Sequence, residues 1–586
     1  MPTLKKIFSK RWTFGFFEKA DQAVSTFSPS EKAVFYAFFG AVFLTSLYFL
    51  YKVNDSFLVE IPRRGGTMTE GIVGAPRFIN PLLSFSEADR DLTSLVYAGL
   101  LKATPEGSLV PHLAEEYSIS EDGLVYSFKL RDNAYFHNGE KVTADDVIFT
   151  VEKAIDPFVK SPRRANWQDV TVEKISDLEV KFALKKPYSP FLENATLGIL
   201  PKSLWKNIDP EQFPFSELNG KPVGAGPYKV NNVRRGSGGT PTYISLSSFD
   251  KYVWGEPWIK EIIIRFYPNT KSLLEAYKDG EISALNSISP EEGIVLKGEG
   301  AEVIATPLPR IFGIFFNQNK APVLANKEVR EALNISVDKK AVVEKVLLGY
   351  GKAIENPVPE GILKDLRPEG SEGEDLSGEE RILKASNLLQ KNGWTWNEEK
   401  GAREKKIKKE TQILSFSIST SNAPELKETA LLLKEMWEKI GAKIELKFFD
   451  TGDLNQSVIR PRKYDSLLFG EVVGRELDLY AFWHSSQRND PGLNISSYTS
   501  IKADKLLEEA RVISDKSKRN EDYLKLEEEI RKDVPAVFIY SPDFLYVVSP
   551  QVKGFRMEYV TMPEERFLNI NEWYMKTEKV WEIFAR

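Results

Sequence analysis

Cysteine is absent from this chain. Its absence excludes disulfides, thiolate catalysis, iron–sulfur clusters, zinc–cysteine sites and a lipid-modified cysteine tether, so the fold must hold by packing alone. Histidine is scarce. His112, His137 and His484 are too scattered for metal-ligand spacing and read as structural groups. The charge is not one-sided either: 79 basic residues face 84 acidic ones, a net of −5. Nucleic acid would call for a basic face, so it is not an expected partner. No phosphate-cradling loop, dinucleotide fingerprint or Gly-x-Ser-x-Gly elbow occurs. Glu471 with Glu476 or Asp478 could be a carboxylate pair for glycoside hydrolysis. Carboxylates at such spacing are common, and the chain reads as a non-enzyme needing no cofactor.

Charge is missing altogether from one stretch, Ala33 to Tyr51, "AVFYAFFGAVFLTSLYFLY". A helix of about 19 residues rising about 1.5 Å per residue spans roughly 28 Å, close to the hydrocarbon core of a bilayer. Tyr36, Tyr48 and Tyr51 lie toward its ends, where aromatic rings favour the interface. A buried core helix is the other reading, set aside because every face is apolar over so long a run. A cleaved signal would have a shorter apolar region and a small-residue cleavage site, and "KVNDSFLVEIPRRGGT" offers none. The preceding leader carries Lys5, Lys6, Lys10, Arg11, Lys19 and Lys32 against Glu18, Asp21 and Glu31. That excess predicts a cytoplasmic leader (1–32), an uncleaved single-pass anchor (33–51), a spacer (52–64) and a large domain outside the membrane. Arg63 and Arg64 oppose this orientation only weakly.

Beyond the spacer the pattern is α/β. Asp122-Gly123 between two alternating runs predicts a hairpin, with Tyr126, Phe128 and Leu130 inward. Thr143, with Asp146 three residues on, predicts a helix start. "ILSFSIS", "PELKETALLLKEMWEKIG" and "AKIELKFF" predict strand, helix and parallel strand, with Leu426, Ala430, Leu433, Trp437 and Ile440 on one stripe and Gly441 at the stop. "REKKIKKE" (403–410) reads as a solvated turn, and 367–380 as an acidic surface loop.

The stretch "AEEYSISEDGLVYSFKLRDNAYFHNGEKVTADDVIFTVEKA" resembles the signature region of the extracellular solute-binding proteins, family 5. Further matches follow in order: "GAGPYKV", "FNQNKAPVLANKEVREALNISVDKKAVVEKVLLGYG", "NPVPEG" and "ASNLLQKNGW". The resemblance implies the binding component of an ABC importer for oligopeptides, dipeptides or nickel, working with permease and ATPase subunits. It implies a periplasmic-binding-protein type II fold, two lobes closing on a ligand, with an extra domain inserted early in the first. The expected bounds are lobe I at 65–317 with an insert at about 109–216, lobe II at 318–533, and a return to lobe I at 534–586. Apolar strands near Phe315, Phe316 and Asn317, and near Phe538 and Ile539, are the expected hinge.

Many peptide-binding relatives meet the ligand's amino group with a carboxylate in a Trp-x-x-Asp stretch. Aligned here, "GEVVGRELD" (470–478) puts Gly470 at the tryptophan and Val473 at the aspartate. Glu471 is a candidate substitute, Asp478 a further ligand-side candidate, and Trp483 and His484 read either as cleft wall or as lobe packing. Ser86, Glu87 and Asp89 occupy another stretch that faces ligand in relatives. An anchored receptor or sensor using the same cleft, or a binder of a sugar or metal chelate, is the alternative reading.

Overall fold

The structure is a computed structural model that describes residues 19, 22–358, 363, 366–367, 376–513 and 515–585. The leader's Lys5, Lys6, Lys10 and Arg11, and most of the acidic loop, lie outside the described residues. The chain divides into two compact units, Met1–Arg63 with Lys576–Arg586, and Arg64–Met575.

The first unit is built on one helix, Pro29–Ser56, longer at both ends than the uncharged run. Ser28 caps it, and Glu31 returns the bond to the Ser28 N–H at 2.8 Å. None of its residues is buried, so its Phe, Leu and Tyr side chains all face outward. Residues 52–64, expected as a spacer, are instead structured. The helix runs on to Ser56, and strand Leu58–Arg63 pairs antiparallel with Lys576–Trp581. The latter strand therefore leaves the expected return to lobe I. It meets the helix end through Lys579 to Asp55 at 2.9 Å and the Trp581 indole N–H to Asn54 at 3.0 Å.

The second unit contains two lobes, each built on a mixed sheet. The first sheet runs in the order Tyr228–Arg235, Pro241–Ser248, Glu261–Tyr267, Thr67–Val73, Ala284–Asn286 and then the far half of Ala536–Val548. The second runs Lys443–Phe449, Ser415–Ser421, Ser466–Val472, Arg310–Phe316 and then the near half of Ala536–Val548. The parallel pair around helix Pro424–Lys439 is the predicted βαβ unit, and Gly441 ends it at φ +88°. An inserted four-stranded sheet in the first lobe, Ala114–Ile119, Val125–Leu130, Glu179–Leu184 and Val170–Ser176, includes the predicted hairpin, with Tyr126, Phe128 and Leu130 buried. Residues 403–410 are not a turn alone: Ala402–Ile407 and Glu410–Ile413 form a hairpin. Arg403 pins it by donating to the carbonyls of Ile440 and Trp394.

One strand serves both lobes. Ala536 to Tyr540 pairs with Arg310–Phe316, whereas Asp543 to Val548 pairs with Val303–Pro307 and Ala284–Asn286. The change of partner falls at Ser541–Pro542. Beside it, the other crossing segment lies between strands ending at Pro307 and starting at Arg310. The Leu308 N–H donates to the Pro542 carbonyl at 3.1 Å, and Ser541 Oγ donates to the Leu308 carbonyl at 2.6 Å. Phe315, Phe316, Asn317, Phe538 and Ile539, expected as the hinge, are all buried within or beside the second sheet instead. The second sheet takes up the chain at Arg310, and the shared strand changes partners at Ser541–Pro542, beyond the expected hinge residues Phe538 and Ile539.

Four apolar clusters among the described residues stabilise these sheets: a large one under the first sheet and the insert, a smaller one on the first sheet's other face, and one on each face of the second sheet. The first also encloses charge. Arg566, wholly buried, holds Glu70 and Asp91 at 2.6 Å each, and Tyr546 donates to Glu70 at 2.9 Å.

Candidate ligand cleft

A cavity of about 450 Å³ lies between the lobes. The first lobe supplies its walls from the helix Glu87–Val96, strand Leu101–Ala103, the segment around Arg163 to Trp167, residues Glu193 to Gly198 and residues Thr561 to Leu568. The second lobe reaches it only through Val472, Val473, Gly474 and Arg475, as strand Ser466–Val472 ends.

Its charged side chains come in pairs, with exceptions. Arg90 Nε stands 3.1 Å from Glu564, and Arg475 donates to Glu565 at 2.8 Å across the cleft. Lys102 has no carboxylate that close. It donates to the Tyr252 hydroxyl at 3.2 Å and lies 4.8 Å from the Trp254 ring centroid. Burial pushes its ammonium down to about 7. Glu193 accepts the Glu476 backbone N–H from the other lobe. Burial pushes its carboxyl up to about 7, against the N–H, which favours the charged form. Four polar atoms on the cavity-lining residues are buried without a hydrogen-bond partner: Arg90 Nε, Thr93 Oγ1, Arg475 Nη1 and Glu564 Oε2.

Most residues anticipated from the sequence fall elsewhere. Ser86 caps its helix, accepting from the Asp89 N–H at 3.1 Å. Asp89 accepts from the N–H groups of Arg77 and Phe78 at 2.7 and 2.9 Å, and so shapes the loop that carries Pro81 and Ser84 into the cavity wall. Glu87 accepts from Asn286 and Ser287. Asp478 pairs with Arg511 at 2.6 Å and accepts from Tyr188 of the first lobe, which makes it an interlobe contact. Trp483 is fully buried among Phe315, Tyr498 and Phe538. His484 stacks on Tyr480 at 4.0 Å and shares a 2.7 Å bond with Ser486.

Val473 lines the cavity, and Glu471 does not. Glu471 sits opposite Ile311 inside the second sheet, 4% exposed, with neither carboxylate oxygen bonded. Burial alone pushes its carboxyl well above the usual range. The substitution of Glu471 for the missing aspartate is therefore corrected: the strand carries it into the sheet interior and not toward the ligand space. His112 lines the cavity, bonded to Tyr252 at 2.8 Å, and His137 shares a 3.1 Å bond with the Gly226 carbonyl. Arg90, Lys102, Arg163, Glu193 and Arg475 gave no local signal in the sequence. Only the folded arrangement gathers them.

The cleft and its two-lobed frame have counterparts among known proteins. The family model for bacterial extracellular solute-binding proteins, family 5 Middle, matches residues 108–517. The oligopeptide-binding protein AppA of Bacillus subtilis is 27% identical over 520 residues, covering 88% of this chain and 92% of that protein. The nickel-binding periplasmic protein of Escherichia coli is 29% identical over 423 residues, covering 67% and 72%. The structure of Bacillus subtilis AppA with a nonapeptide superposes with a TM-score of 0.67 at 26% identity, covering 88% of this chain and all of that one. This chain therefore belongs to the bacterial extracellular solute-binding proteins, family 5, the type II binding proteins of ABC importers.

Proposed function

We propose that this protein is a membrane-anchored, extracytoplasmic capture subunit. It takes short peptides into the interlobe cavity, closes on them by rotation about the Leu308 and Ser541 segments, and passes them unaltered to permease and ATPase subunits. One observation carries the reading: a single cavity shared by both lobes is lined by hydrogen-bond donors and acceptors of both charge signs, among them Arg90, Lys102, Arg163, Glu193 and Arg475. A peptide offers a donor and an acceptor at every residue and would satisfy several of them at once. The oligopeptide-binding relative supports the same ligand class.

The anchor rests on helix Pro29–Ser56. It has a mean hydropathy of 1.9 over its most apolar window and no buried residue. At about 1.5 Å per residue it is longer than a bilayer's hydrocarbon core is thick. In this reading 1–32 stays cytoplasmic, 33–51 spans, and the lobes lie outside. Tethering would keep a loaded binding protein at high local concentration near its importer.

The test is native mass spectrometry of the full chain, purified in detergent from its own cells. Bound short peptides and an intact residue 1–51 segment are expected. A sugar or metal chelate in the cleft would overturn the peptide reading, and a mature chain starting after Tyr51 would overturn the anchor.

A further inference from the structure

We infer that Glu193 is the group that receives the ligand's amino-terminal ammonium, so that the carboxylate for this end of the peptide comes from the first lobe. The inference rests on the peptide reading above. Three carboxylates line the cavity, Glu193, Glu564 and Glu565. Glu564 has Arg90 and Glu565 has Arg475. Among the described residues, Glu193 has no cation within ion-pair distance. Its hydrogen bond in the cleft is the one it accepts from the Glu476 N–H, and the Glu476 carboxylate is itself engaged by Arg519 at 2.9 Å.

Gly474 makes room for it. A Cβ built there would stand 3.1 Å from Glu193 Oε2, so any side chain at 474 would press on the carboxylate. The strand end that enters the cavity carries Val472, Val473 and Gly474, none of them acidic. Glu193 thus projects across the interlobe gap into the space that a side chain of the second lobe would otherwise occupy. One carboxylate, held by a backbone N–H in the cavity wall and with Arg475 nearby but committed to Glu565, is complementary to a single ligand cation. An ammonium docking there would also offset the burial that disfavours the ionised carboxyl.

The experiment uses the full chain in detergent and two equimolar libraries of tri- to pentapeptides, one with free and one with acetylated amino ends. Retained peptides are read by native mass spectrometry. Wild type is expected to prefer free amino ends by at least about tenfold, the scale of one hydrogen-bonded charge. Glu193→Gln, which keeps the shape, is expected to lose the preference. Glu193→Asp, charged but shorter, is expected to retain part of it. A merely structural Glu193 predicts the opposite order, with Gln the milder change. Equal retention of both libraries by wild type overturns the assignment while the peptide reading stands. A preference that survives in Glu193→Gln also overturns it. Retention of neither library overturns the peptide reading and the assignment with it. Thermal unfolding of each variant confirms that a loss is not misfolding.

Discussion

Arg475 of the second lobe and Glu565 of the first meet at 2.8 Å across the cleft, with side chains only 4% and 19% exposed. Glu565 also accepts the Thr561 N–H at 2.5 Å, so the carboxylate is fixed before the arginine arrives. The pair is therefore a latch between lobes. Arg475→Met is expected to shift the population toward open forms. Small-angle scattering would then give a larger radius of gyration for the variant without ligand, and an unchanged radius would remove the latch from the account.

Glu193 makes closure sensitive to pH. In this structure burial between the lobes pushes its carboxyl up to about 7, and opening the cleft to water would return it toward the ordinary carboxylate range. Arg475, Glu476, Glu565, Tyr188 and Tyr559 face it. The closed form thus binds the proton more tightly. Without a ligand cation, closure carries no penalty below the open-state value, weakens as pH rises toward about 7, and is flat above it. N-acetylated peptides should bind more weakly at pH 8 than at pH 5, and this slope should vanish in Glu193→Gln.

The Arg566 cluster is structural. Removing the arginine would leave Glu70 and Asp91 buried together without their shared cation. Arg566→Met should therefore cost about 3–5 kcal/mol, the range for breaking a buried pair. Chemical denaturation should show it as a lower midpoint with an unchanged slope.

Glu471 is the reverse case, a buried carboxyl with no partner to lose. Its folded-state value is raised well above the ordinary one, so folding binds a proton. The burden is absent below the unfolded value and grows as pH rises above it. Glu471→Leu is expected to stabilise the fold by about 1–3 kcal/mol, the desolvation cost of an unsatisfied polar group. The gain in thermal midpoint should be larger at pH 8 than at pH 5.

Local pattern was enough to read the βαβ unit, the Asp122-Gly123 hairpin and the Thr143 helix start, because each depends on alternation, stripe or cap within a few residues. The expected hinge strands were chosen for apolarity, which marks a buried strand but not the sheet it joins. Phe315 and Phe538 are as apolar as any crossing strand, yet the crossing lies at Ser541, where partners change. The spacer was misread because its partner strand, Lys576–Trp581, is more than 500 residues away. The cleft's charge pairs were hidden for the same reason: Arg90 finds Glu564, and Glu193 finds Glu476, only through tertiary contact. For Glu471 and Val473, the resemblance to the family's Trp-x-x-Asp stretch placed both near the cleft, and the end of the strand separates them.

Capture in the proposed function depends on two lobes shutting around a peptide. Because the chain has no cysteine, Lys206→Cys in the first lobe and Lys505→Cys in the second, both exposed, give two unique labelling sites. Energy transfer between dyes on these thiols, followed in the full chain as the free-amino peptide library is added, measures closure directly. A saturable rise in transfer, reversed on peptide removal, is the predicted result. Transfer that stays constant while peptide demonstrably binds would contradict the account.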